Sequence, residues 1–431
     1  MPSSVATAAP AVNLKTDAAI ISLISFAHGT SHFFHLMLPP LFPWFMSEFS
    51  LSFVQVGTLM TTFFVVSGVG QAFAGIVVDR YGAHRVLCVG VGLLCSSALL
   101  VAASPNFAAL FGAAAVAGLG NSVFHPADFT LINRRVSVPR LGHAFSVHGL
   151  SGNLGWALSP MLMLALASAY GWRMAALGAA LVGALALAIL LRQRELLRYE
   201  LQHKLAAGMA EGLVKGSAKL DAAKNGGKPE SIRPASTWRF LGVRVVWLAF
   251  AFFFFSTFAF GALQNFAPSL LRELYRVSLA LATSALTAYL LGASAGLICG
   301  GFVVKGRTAF EYLIAASLAA SACLAFLLAS AILPTSLILP IMALMGLGVG
   351  LAGPSRDMLV RRATAARLGE SAFGRVYGLV YSGLDVGLAV SPIVFGLLLD
   401  AHLPNLVFVG IGAAFIVATF SALAVGREAV R

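Results

Sequence analysis

The sequence predicts an all-α membrane protein of twelve transmembrane helices arranged as two pseudo-symmetric six-helix bundles. Three observations carry that expectation. The 431 residues are 59% hydrophobic and only 10% charged, against roughly 25% charged in soluble domains. The apolar residues fall in twelve runs, each close to the ~20 residues needed to span a bilayer. Sequence patterns of the first six runs recur in the last six.

The runs cover 18–46, 53–78, 85–103, 107–132, 142–168 and 172–191 in the first half. In the second half they cover 239–268, 280–304, 309–330, 335–359, 372–399 and 404–425. Their Gly/Ala/Leu/Phe mixture lacks the period-2 alternation of a membrane β-barrel, so each reads as a helix. The expected organisation is a cytoplasmic tail over 1–17, a first bundle over 18–191, a cytoplasmic linker over 192–238, a second bundle over 239–425 and a tail over 426–431. Residues 1–17 show no apolar core with a cleavage site, so no signal peptide is expected. The linker opens on helix-favouring Glu, Leu, Ala and Lys and then turns at Asn225-Gly226-Gly227-Lys228-Pro229.

The net charge of +13 could suggest nucleic acid, but its distribution argues otherwise. With the N-terminus inside, all of the 29 Lys and Arg except Arg173, Arg272 and Arg276 fall on the inner side. That bias orients both termini to the cytoplasm and suits anionic inner-leaflet lipids. A bacterial-type inner membrane is the expected location, with no nucleic-acid partner. Cys88, Cys95, Cys299 and Cys323 all lie within spans without a C-x-x-C pair. They read as small apolar residues. No Walker loop is present, so nothing points to ATP as the energy source.

The halves repeat in order. Gly118-Leu-Gly120-x4-His125-Pro126 recurs as Gly346-Leu-Gly348-x4-Gly353-Pro354 at an offset of 228. Asn153-Leu-Gly155-Trp-Ala-Leu-Ser159-Pro160 recurs as Asp385-Val-Gly387-Leu-Ala-Val-Ser391-Pro392 at 232, and Gly75-x3-Asp79 as Gly301-x3-Lys305 at 226. Parallel repeats of this kind place a substrate site between the halves near the midplane, and rocking of the halves opens it to one side at a time.

Between the second and third runs lies Gly75-Ile-Val-Val-Asp79-Arg80-Tyr-Gly82. Its charges belong at a helix end, in water or paired. Gly75 would let a neighbouring helix approach, and Gly82 would permit a tight reversal. This string resembles the signature loop of the major facilitator superfamily of transporters. The two basic residues usual after the last glycine are replaced by Ala83 and His84, with Arg85 one place late. The resemblance implies a conformational gate in which the loop Asp meets the inner end of the eleventh helix, here near Ser371-Ala-Phe-Gly374. Asp79, Arg80 and Asp128 are the expected charges of that gate, with Gly75 and Gly82 shaping it. Ser122-Val-Phe124-His125-Pro126, Gly149-x-x-Gly152-Asn153-x-Gly155, Ser31-His32-Phe33-Phe34 and Leu38-Pro39-Pro40-Leu41-Phe42-Pro43 are similar to the fosmidomycin-resistance branch. That likeness implies a proton-driven exporter of drugs or small metabolites. Two positions depart from it: Ala127 precedes Asp128 where an acidic residue is usual, and Ala114 stands where antiporters carry Arg.

Several polar residues inside the spans are candidates for the cavity. His28, His32 and His35 are spaced i, i+4, i+7 and share one helical face. They either bond neighbouring backbone and hydroxyl groups or line a cavity that binds substrate or protons. Asp385 sits deep in the eleventh run without a Lys or Arg within one turn. A lone buried carboxylate is the chemistry of a proton site, the alternative being a structural Asp bonded by Ser or Tyr. Asn153 is its neutral counterpart in the repeat. Gln264 and Asn265, with Tyr289 and Phe252 to Phe255, suggest a partly aromatic wall. His125 is open between roles, and His148 reads as structural.

The reading is a monomeric secondary transporter that is not an enzyme, exporting a small organic solute in exchange for protons, with no cofactor and no metal site. Proton-symport uptake in the same fold is the first alternative. A membrane enzyme or haem/metal protein using the histidines is the second, disfavoured because no carboxylate or Cys lies beside His28 or His32 in sequence. A sensor that kept the fold without transporting is the third.

Overall fold

The computed structural model describes residues 14–198, 242–304, 309–368 and 373–430. Most of the 192–238 linker, Lys305 of the Gly301-x3-Lys305 repeat and Ser371 of the expected latch lie outside these residues.

Twelve long helices run through the described residues. In chain order they are α1 (Leu14–His35), α2 (Phe53–Tyr81), α3 (Ala83–Ala103), α4 (Phe107–Arg135), α5 (Leu141–Tyr170) and α6 (Trp172–Arg192). The second half has α7 (Arg244–Tyr275), α8 (Leu279–Val304), α9 (Phe310–Ala329), α10 (Ile338–Leu368), α11 (Phe373–Asp400) and α12 (Pro404–Val430). Among the described residues, eleven helices are long and apolar enough to cross a membrane. The exception is α1, whose polar load includes Asp17 and three histidines. Gly82, at φ +89°, turns α2 into α3, and Gly171, at φ +85°, turns α5 into α6. Both conformations suit a residue without a Cβ.

Two expected spans are not continuous. The first was expected to run through 46, but α1 stops at His35 and the chain reaches a short helix, Phe42–Phe49, through a tight turn at Pro39–Leu41. Pro39 and Pro40 lack amide donors and restrict the residues before them, which ends the helix. Helix α4 changes register at Ser122-Val123, between Phe107–Asn121 and Phe124–Arg135. Pro126 cannot donate to the Ser122 carbonyl, and its ring crowds that position.

The repeated glycines do the same work in both halves. A Cβ on Gly155 of α5 would lie 2.1 Å from the Gly29 carbonyl oxygen of α1. Its repeat mate Gly387 of α11 would meet Thr257 Oγ1 at 2.3 Å and the Phe254 carbonyl oxygen at 2.6 Å on α7. Gly118 of α4 would meet the Phe63 carbonyl oxygen at 2.4 Å, and Gly346 of α10 that of Tyr289 at 1.9 Å. Backbones approach this closely only over small residues.

The halves join where α2 lies against α11 and α5 against α8. The Phe53 and Val54 amides donate to Asp400 Oδ1 and Oδ2 at 2.6 and 3.0 Å, and Thr61 Oγ1 donates to the Ala389 carbonyl at 2.7 Å. A Cβ on Gly57 would lie 2.7 Å from the Pro392 carbonyl oxygen. These contacts belong to the Gly171 end of the molecule. Toward the Gly82 end, Val69, Phe73 and Ile76 of α2 and Ile298 and Phe302 of α8 are exposed. At the Gly171 end, Glu48 accepts from Trp172 Nε1 and from Arg173 Nη1. The Trp172 bond, then Arg173, holds the Glu48 carboxyl below its ordinary pKa.

Candidate functional site

The first bundle gathers five of the chain's nine histidines around one carboxylate. The α1 spacing turns His28, His32 and His35 to one face, as expected. His28 stacks on His148 of α5, with ring centroids 3.6 Å apart, and lies 4.3 Å from His32 and 5.4 Å from His125 of α4. His32 continues to His35 at 4.8 Å and to Trp156 at 4.3 Å. Gly152 makes this possible, because a Cβ there would lie 2.7 Å from His32 Nδ1 and 3.0 Å from His28 Nε2.

Asp128 is fully buried at the centre of the group. Its Oδ2 lies 3.1 Å from His148 Nε2, a hydrogen bond, and 3.3 Å from His28 Nδ1, without hydrogen-bond geometry. This corrects the expectation that Asp128 belongs to the gate with Arg80. Arg80 is exposed in the α2–α3 turn region, its guanidinium over the Tyr81 ring at 5.4 Å. Asp128 follows the break in α4 and meets the imidazoles of α1 and α5 instead. A carboxylate buried among apolar helices requires polar partners, and these are the ones at its depth. His148, expected to be structural, is therefore part of the polar centre. At the other end, His35 Nε2 and Asn121 Oδ1 lie 2.8 Å apart, and Asn121 Nδ2 donates to Ser67 Oγ at 2.8 Å.

The loop motif is partly corrected as well. A Cβ on Gly75 would meet nothing within 4 Å, so Gly75 does not serve a close helix approach. It lines a cavity of about 400 Å³ with Gln71, Asp79, His125, Phe129 and Thr130. His125 is exposed there and connects the cavity to His28. Gly82 turns the chain as expected.

Asp385 is half-buried on α11 and does not join the histidines. A Cβ on Gly68 of α2 would lie 3.4 Å from its Cβ. Among the described residues it has no hydrogen-bond or ion-pair partner, so the Ser or Tyr bond of the structural alternative is not made. Its repeat mate Asn153 is likewise half-buried, with no side-chain hydrogen bond among the described residues.

The second bundle is aromatic and unsatisfied. Gln264 is fully buried with neither amide atom hydrogen-bonded. Asn265 Nδ2 donates to the Gly261 carbonyl at 2.6 Å, leaving Oδ1 without a partner. The Tyr289 hydroxyl and Trp156 Nε1 are also buried without partners. Buried polar groups in this state are the exception in native proteins and mark places where water or a ligand binds. Trp156 stands 5.1 Å from Phe260, which stacks on Tyr289 at 6.2 Å, so rings bridge the two halves. Phe252 to Phe255 pack mainly among themselves and against α11, with Phe253 4.8 Å from Tyr381. The sequence reading passed over Trp156, Phe260, Asn121 and Ser67. A signal existed for Trp156: His148, Gly152 and Trp156 repeat at i, i+4, i+8 on one face of α5.

Two bundles of six long helices, joined at α2–α11 and α5–α8 around a polar interior, define a membrane protein of the transporter type. The family model of the Major Facilitator Superfamily matches residues 22–372, and the chain belongs to that family. A stretch of 164 residues is 33% identical to the fosmidomycin resistance protein of Escherichia coli, covering 38% of this chain and 40% of that one. Another, of 127 residues, is 31% identical to the membrane sensor protein UhpC of Escherichia coli, covering 28% of each chain. These alignments span less than half the length of either relative. A solved peptide transporter in complex with sulfate superposes with a TM-score of 0.66 over 95% of both chains at 16% identity, a likeness of fold.

Proposed function

We propose that this chain is a secondary transporter of the inner membrane, exporting a small organic solute in exchange for protons by alternating access between its halves. The observation that carries this reading is the set of buried, partnerless polar atoms on Gln264, Asn265, Tyr289 and Trp156, beside rings that bridge the halves. A solute with apolar surface and a few hydrogen-bonding groups matches such a wall. The Gly82 end faces the cytoplasm in this reading, as the basic residues require. The described contacts between the halves then seal the outer side. Asp385 is the coupling carboxylate: it lies at the seam between α11 and α2 and has no fixed partner among the described residues. The chain works as a monomer, without a cofactor.

Fosmidomycin is the first solute to test, on the likeness to a protein named for resistance to it. In everted vesicles with an imposed pH gradient, the parent accumulates the solute. Asp385→Asn, which mimics the protonated carboxyl, loses gradient-driven accumulation and keeps solute exchange. Accumulation by Asp385→Asn at the parental rate would show that Asp385 is structural. Accumulation only in right-side-out vesicles would mean uptake. Binding with no flux in either orientation would favour the sensor reading that the likeness to UhpC supports.

A further inference from the structure

We propose that the first bundle holds a binding site for a divalent first-row transition-metal ion, with His28, Asp128 and His148 as its ligands. One ligand atom from each of the three residues lies within 4.8 Å of the others, and the residues come from three different helices, with Asp128 Oδ2 facing His28 Nδ1 and His148 Nε2. The two distances from the carboxylate oxygen are 3.1 and 3.3 Å. Metal–nitrogen and metal–oxygen bonds of about 2.0–2.2 Å place adjacent tetrahedral ligands roughly 3.3–3.5 Å apart. The carboxylate oxygen is thus near the required spacing from both nitrogens, and the His28 and His148 rings, stacked at 3.6 Å, must turn apart for both to reach one ion. Two imidazoles and one carboxylate suit Zn²⁺, Co²⁺ or Ni²⁺, whereas Mg²⁺ and Ca²⁺ want oxygen.

A second observation points the same way. The hydrogen bond from His148 leaves His28 Nδ1 and Asp128 Oδ1 buried without partners, and His32 Nδ1, one ring away, is in the same condition. These atoms call for a further partner, an ion or ordered water. A cation between His28 and Asp128 occupies His28 Nδ1 directly. Three protein ligands leave a coordination position open, as in sites that exchange what they bind. The nearest open space is the cavity beside Asp79, where exposed His125 stands 5.4 Å from the His28 ring. Gly152 keeps the imidazoles free to turn toward the metal, since any larger residue would press on His28 and His32. The inference does not depend on the transport reading.

The test uses the full chain in detergent, without a polyhistidine tag, dialysed against Zn²⁺ and counted by mass spectrometry. The expected result is one Zn²⁺ per chain, not displaced by a large excess of Mg²⁺. Asp128→Asn and His148→Gln should each weaken binding by at least about tenfold. His143→Ala, on the exposed face of α5, should leave it unchanged. X-ray absorption on the parent chain requires no variant and so guards against misfolding. It should show a nitrogen/oxygen shell at about 2.0–2.1 Å with imidazole scattering. Absence of stoichiometric Zn²⁺, equal affinity in Asp128→Asn and His148→Gln, or sulfur in the first shell would each overturn the proposal.

Discussion

The interiors of the two bundles differ more than their scaffolds do. In the first, the polar groups form a chain of pairs, Asp128 with His148, His35 with Asn121, and Asn121 with Ser67, though His28 Nδ1, His32 Nδ1 and Asp128 Oδ1 stay outside it. In the second, Gln264, Asn265 and Tyr289 keep polar atoms that no protein group meets. Yet Gly155 and Gly387, or Gly118 and Gly346, each bring equivalent helices so close that an added Cβ would clash. The repeat therefore preserves where backbones cross and leaves the chemistry between them free to diverge. On the proposals above, one half holds an ion among fixed side chains and the other offers groups to a solute that comes and goes.

The comparison breaks most readily at the crossings. Gly155→Ala and Gly387→Ala should each destabilise the protein by about 3 kcal/mol, the upper end of the overpacking range, because a backbone carbonyl or a short side chain is struck in each half. Thermal midpoints in detergent check this, and an unshifted midpoint in either variant would end the claim of a shared scaffold. Asn121→Ala should cost about 1–3 kcal/mol by the same measurement, since it strands His35 and Ser67 in the first interior. Gln264→Leu, of similar volume, should leave the midpoint unchanged or higher, because the amide it removes has no protein partner. Solute binding by Gln264→Leu should fall. A large loss of stability in Gln264→Leu would mean that the Gln264 amide has a partner in the folded protein. Gly75→Ala marks the lower limit: with open space around its Cβ, it should be neutral or stabilise by about 0.5–1 kcal/mol through helix propensity.

The fold was largely legible because bilayer spans leave a coarse signal. Apolar runs of fixed length, basic loops and repeated glycines are all readable along the chain. The interruption of the first span was legible too, in Pro39-Pro40, but the hydrophobicity of Phe42 to Met46 outweighed it. The site was legible only within single helices. The stripe of His28, His32 and His35 follows from helical periodicity, whereas Asp128 reaches its partners across 100 and 20 residues of sequence. Its orientation depends on the break at Ser122-Val123 and on how α4 sits against α1 and α5, which no local pattern records. Gly75 shows the converse. A motif glycine invites a packing explanation, but its surroundings hold a cavity and no neighbouring backbone.

The start of α2 is completed from both halves of the molecule. Ser52 caps the Gln55 amide from its own chain segment, while Asp400, on the opposite bundle, takes the amides of Phe53 and Val54. These are among the helix donors that have no partner within the helix itself. Whenever the bundles separate at this end, the Phe53 and Val54 amides pass from a carboxylate to water. Their hydrogen-exchange rates therefore count the excursions to the state open on that side. Gln55, capped locally, supplies the internal reference that stays protected when the bundles part.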